Sequence, residues 1–92
     1  MVAARAYMVE RYWPGVSAGE FQAATDRVRA SVGALAGRGL EITFLHSTFV
    51  PTDEAAQWVI RAATAELVAD ACAAAGLAYH RLLPAVDSGP MR

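Results

Sequence analysis

Three ionisable side chains interrupt runs that are otherwise apolar: Glu10, His46 and His80. An ionisable group in an apolar strand costs free energy unless it is paired or hydrated, so each marks a place where a partner, a ligand or water is needed. One carboxylate and two imidazoles are the donor types of a nitrogen-and-oxygen site for nickel or a similar divalent ion. They are equally the groups of general acid–base catalysis. Each has a structural alternative. Glu10 pairs with Arg61 or Arg81, His46 is a hydrogen-bonded core residue, and His80 is an edge-strand residue beside strand one. With two histidines and a single cysteine, Cys72, a closed zinc site within one chain is not expected. Cys72 lies among alanines and reads as a small buried hydrophobe. Asp53 and Glu54 read as solvated turn formers.

The elements that must position these residues follow from periodicity. Apolar-alternating runs at residues 5–13, 41–50, 55–62 and 78–86 predict strands. Helical runs at 18–36 and 65–75 fall in the first and third gaps. Ser17 and Glu20 have the spacing of a capping box. Phe21, Ala24, Val28, Val32 and Leu35 then recur every three or four residues as one apolar stripe. Thr64 can cap the second helix, whose inner stripe is Leu67, Val68, Ala71 and Ala75. Pro14-Gly15 stops strand one, and Pro51-Thr52-Asp53-Glu54 turns strand two into strand three. The order β-α-β-β-α-β predicts an α+β, ferredoxin-like fold. It is a single domain spanning residues 1–92, with a polar tail at 87–92 that frays. Its four-stranded antiparallel sheet has strand order 4-1-3-2 and both helices on one face. Pro84 suits an edge position for strand four.

Successive strand residues point to opposite faces. Met8 and Tyr12 therefore oppose Tyr7, Val9 and Trp13, and Trp58 and Ile60 oppose Val59. Ile42 and Phe44 oppose Leu45 and Phe49, which sets His46 with Ile42, Phe44 and Thr48. Both faces are apolar, yet two helices cover only one. A second copy packed sheet to sheet, in the manner of a dimeric α+β barrel, is the expected solution. Glu10 and His46 stand on strands separated by a third, roughly 10 Å apart. They share a ligand only if they lean together or the partner copy completes the site.

Composition narrows the function. Hydrophobic residues make up 55% of the 92-residue chain, more than a small solvated monomer needs. The net charge is −1, and every basic residue is arginine, with no basic stripe. Nucleic acid is therefore not an expected partner. No run reaches the ~18 apolar residues of a membrane span. Charges interrupt the first thirteen residues before any signal-peptide core could form, so the expected compartment is the cytoplasm.

The run Tyr7-Met8-Val9-Glu10-Arg11-Tyr12-Trp13-Pro14-Gly15, the stretch His46-Ser47-Thr48-Phe49-Val50-Pro51 with its acidic turn, and the closing Ala74-Ala75-Gly76-Leu77-Ala78-Tyr79-His80-Arg81 resemble the nickel-binding protein-like family of small bacterial ferredoxin-like proteins. The resemblance covers almost the whole chain. It implies a dimer with metal binding, and carries over Glu10 and His46 as the matching polar positions. This chain has no cysteine in strand three, where some relatives carry one. An interaction module with no ligand is one reading, and two further functions are in view. One is a homodimer holding a divalent metal such as nickel, or a small ligand, between or beside the sheets. The other is a cofactor-free enzyme of monooxygenase, isomerase or cyclase type, with Glu10 or His46 as acid or base in an apolar cavity.

Overall fold

The structure, a computed structural model, describes residues 4–86; the tail expected at 87–92 lies outside the described residues. The elements are β1 (Arg5–Tyr12), α1 (Ala18–Gly37), β2 (Ile42–Val50), a 3-10 turn (Pro51–Asp53), β3 (Ala55–Ala62), α2 (Ala65–Ala74) and β4 (Arg81–Ala85). The sheet runs β2-β3-β1-β4 with every neighbouring pair antiparallel, the ferredoxin-like α+β arrangement.

Local chemistry sets the helix starts. Ser17 Oγ accepts from the Glu20 amide at 3.0 Å, and the Glu20 carboxylate accepts from the Ser17 amide at 2.9 Å. This reciprocal box satisfies two amides that a helix start otherwise leaves unpaired. At α2 the Thr64 hydroxyl accepts from the Leu67 amide at 3.1 Å. Between β1 and α1 the chain turns through Gly15 at φ +73°, a conformation open to glycine without strain.

The core lies between the helices and one sheet face. Val9 from β1, Ala56, Trp58, Ile60 and Ala62 from β3, Val28 from α1, and Val68 and Cys72 from α2 are fully buried. Phe21 stacks on Phe49 at 5.3 Å and tilts against Trp58 at 5.6 Å. Trp58 also meets Thr25, the one buried polar side chain among the described residues: its Nε1 donates to Thr25 Oγ1 at 3.0 Å, and that hydroxyl lies 3.4 Å from Ser47 Oγ. Burial of Cys72 pushes its thiol up to about 11, so the thiolate is not formed near neutrality.

Two sequence expectations need correction. β4 begins at Arg81 rather than at residue 78, so His80 precedes the strand. In β2 the register shifts between Phe44, opposite Ile60, and His46, opposite Val59. Leu45 is thus a bulge residue, and one extra residue swaps the faces beyond it. His46 leaves the face of Ile42 and Phe44 and joins Thr48 on the open side, while Phe49 returns to the core.

Candidate functional site

The uncovered face is built of rows that the pairing register defines. Thr48, Gln57, Glu10 and Arg81 are paired across the whole sheet, and so are His46, Val59, Met8 and Leu83 one row away. Beyond the polar row, Val50, Ala55 and Tyr12 complete the next. A stripe of hydrogen-bonding groups therefore runs between two bands richer in apolar side chains, and Thr43, Arg61, Ala6 and Ala85 form a further row beyond them.

Glu10 is the centre of that stripe. Its Oε1 accepts from Arg81 Nε at 2.8 Å and lies 2.6 Å from the terminal nitrogen Nη2. Its Oε2 accepts from Gln57 Nε2 at 3.3 Å. Of the two arginines open to it by sequence, Arg81 is the partner, because antiparallel pairing sets the two residues opposite each other. The Arg81 guanidinium first, then the Gln57 amide, hold the Glu10 carboxyl below its ordinary range and outweigh the opposing effect of burial. A carboxylate so stabilised is a weak base, which counts against proton abstraction as its task.

The sign of the linkage follows. A carboxyl whose folded pKa is depressed stabilises the fold above its unfolded value, and that contribution is lost as pH falls through the folded one. Arg81→Ala is expected to bring the Glu10 titration back towards the ordinary carboxylate range and to make stability less steep in pH on the acid side. NMR titration of the Glu10 side chain checks this. An unmoved midpoint would show that Arg81 is not what holds the proton off.

His80 lies beside Glu10, its amide donating to the Glu10 carbonyl at 2.8 Å. Its Nδ1 accepts from the Tyr12 amide at 3.2 Å, so that lone pair is engaged. His46 is exposed on β2, two strands from Glu10. The fold thus brings Glu10 and His80 together and leaves His46 apart. Among the described residues no group of three or more His, Cys, Asp or Glu side chains assembles. Glu10 is held by Arg81 and Gln57, and His80 by Tyr12. Within the described residues Glu10, His46 and His80 therefore do not converge on one point.

Glu54, expected from its place in the turn to be solvated, is instead a hub of hydrogen bonds. It sits at φ +53°, in the left-handed region. Its Oε1 accepts from the Tyr12 hydroxyl at 3.1 Å, its Oε2 from the Gly15 amide at 3.2 Å, and its carbonyl from the Trp13 amide at 2.7 Å. It ties the β2–β3 turn to the loop that leaves β1. The available signal was an acidic residue closing a Pro-containing turn where a glycine would ordinarily stand. The Glu54 carboxylate raises the Tyr12 phenol above its ordinary value. Glu54→Gln is expected to lower that midpoint, read by ultraviolet titration of the Tyr12 phenolate against a Tyr12→Phe control.

Depressions lined by described residues lie on the surface, two of them well formed. One of about 420 Å³ lies at the strand ends by Ala6, Arg61, Pro84 and Ala85. The other, about 470 Å³, lies between the helices by Arg27, Ser31, Arg38 and Ala74. Neither is lined by Glu10, His46 or His80. No helix among the described residues is long and apolar enough to cross a membrane.

No protein-family model matches the chain, and no curated protein matches it. The crystal structure of SCO4226 from Streptomyces coelicolor A3(2) is similar, with a TM-score of 0.72 and 14% sequence identity over 91% of this chain and 99% of the other. At that identity the likeness is one of fold, and the fold it shares is the ferredoxin-like α+β sandwich of one sheet and two helices.

Proposed function

We propose that the chain is a small homodimeric binding protein in which two copies pack sheet to sheet and hold a small hydrogen-bonding ligand along the row of Gln57, Glu10 and Arg81. The supporting observation is the uncovered sheet face. Both helices lie on the other side, and the open side carries Met8, Leu83, Tyr12 and Val50 around the Gln57–Glu10–Arg81 row, with His46, Thr43 and Arg61 towards its edges. Solvated sheet faces are usually polar at alternate positions, and a two-fold partner removes this apolar surface from water. The row offers an amide, a carboxylate and a guanidinium, a mixed set that suits a neutral or zwitterionic organic molecule better than a bare cation. In this reading the protein works in the cytoplasm.

Native mass spectrometry of untagged protein, followed by titration with nickel, cobalt and zinc, tests the proposal. A dimer that takes up no stoichiometric metal is expected. A monomer overturns the reading. Nickel bound one per chain and lost in both Glu10→Gln and His46→Ala would replace the organic ligand with a metal completed across the dimer.

A further inference from the structure

The open face is self-complementary about one particular axis, and the row pattern says which. We infer that the second copy docks with the two-fold axis running along the strands between β1 and β3, so that the partner's Gln57 and Thr48 complete the Glu10–Arg81 row and the polar stripe is closed by both chains. This rests on the dimer proposed above and goes further by naming the register and the residues each copy contributes.

The sheet order is β2-β3-β1-β4, so an axis along its middle sets β2 of one copy over β4 of the other and β3 over β1. The pairing register then fixes what meets. Gln57 faces the partner's Glu10 and Thr48 faces the partner's Arg81, while Val59 faces the partner's Met8 and His46 faces the partner's Leu83. Each contact occurs twice, as an isologous interface requires. In the central row polar groups meet polar groups of opposite hydrogen-bonding sense and beside it Val59 meets Met8, while towards the edges His46 lies over the partner's Leu83 and Arg61 over the partner's Ala6. Face-to-face sheets pack with their strands within about 30° of each other, which this axis permits.

The other in-plane axis, across the strands, fails on charge. Centred on the polar row, it stacks Glu10 over the partner's Glu10 and Arg81 over the partner's Arg81. Shifted by half a row it sets Glu10 over the partner's Met8 or, the other way, over the partner's Tyr12, and by a full row over the partner's Ala6. Like charges face each other in the first case, and in the others Glu10 and Arg81 both lose the facing polar groups, Gln57 and Thr48, that the along-strand axis gives them.

The size is adequate. Four strands at their usual spacing, over the seven residues from Ala6 to Tyr12, make a face of roughly 450 Å² in flat projection. Side-chain relief enlarges the accessible area, which brings two copies to about the 1,000 Å² total that a specific interface needs.

Cross-linking with a short bis-maleimide reads the register directly. His46 and Leu83 share a row but stand on opposite edges, three strand spacings or about 14 Å apart within a copy. Under this axis they face each other between copies. A co-expressed mixture of His46→Cys and Leu83→Cys is expected to give at least tenfold more cross-linked dimer than either variant alone. The native Cys72 is buried and its thiol suppressed, so it stays silent. Thr43→Cys with Ala85→Cys, also edge positions of one row, repeats the test should the first pair fold poorly. Either variant alone cross-linking as well as its mixture, or neither mixture cross-linking while the parent is a dimer, overturns this axis. A monomeric parent removes the dimer itself and is read separately, by native mass spectrometry.

Discussion

Replacing Trp58 by alanine is expected to remove about 3–5 kcal/mol of folding stability, the usual cost of deleting a large buried aromatic side chain. A domain of 92 residues has a total of about 5–14 kcal/mol, so this one change leaves the fold close to its limit. The reason is position. Trp58 is fully buried on the central strand β3, beneath Phe21 of α1, and holds α1 to the sheet by donating to Thr25. The donor can be tested apart from the volume. Thr25→Val leaves the indole N–H buried and unpaired, at about 1–3 kcal/mol. Thr25→Ser keeps the acceptor and is expected to lose much less. Combining Thr25→Val with Trp58→Phe removes donor and acceptor together, so the double variant is expected to lose less than the sum of the single changes. Urea unfolding followed by circular dichroism measures all of these. A Trp58→Ala variant within 1 kcal/mol of the parent would mean that the indole does not anchor α1.

What could be read from the sequence divides along physical lines. The caps were legible because they are local: Ser17 with Glu20, and Thr64 ahead of α2, announce themselves within four residues. Strand order was legible because two helices falling in the first and third gaps leave few ways to fold. The bulge at Leu45 was not. Thr43 before it and His46 and Thr48 after it do change parity, but His46, Ser47 and Thr48 are three polar residues in a row, so the alternation beyond Leu45 reads in either phase. That one residue moved His46 from the helix side to the open face. The choice of Arg81 over Arg61 for Glu10 was equally hidden, since it depends on which residues of β1 and β4 stand opposite each other. Strand four was read three residues too early. Tyr79 and His80 look like strand residues, but the Tyr12 amide is taken by the His80 side chain and the ladder starts only at Arg81. The role of Glu54 is hidden because its three partners, Tyr12, Trp13 and Gly15, lie 39 or more residues away in the chain.

A lysine at Val59 is expected to give a folded monomer where the parent is a dimer. Val59 lies in the middle of the open face, between His46 on β2 and Met8 on β1, with its side chain turned away from the helices. In a single chain the lysine stem lies along the sheet and its ammonium reaches water, so helix content and core packing are kept. In a sheet-to-sheet dimer the same group is buried near the two-fold axis together with its copy. Burying two unpaired like charges costs several kcal/mol, enough to dissociate a complex of this size. Position separates this from general damage. Trp58→Lys, one residue earlier and on the opposite face, is expected to unfold the chain, whereas Tyr12→Lys, at the rim beside Glu54, is expected to weaken the dimer only slightly. Sedimentation and circular dichroism together distinguish the three. A Val59→Lys variant that sediments as an intact dimer would move the interface to the helices or the sheet edge, because no arrangement that buries this face could accommodate that charge.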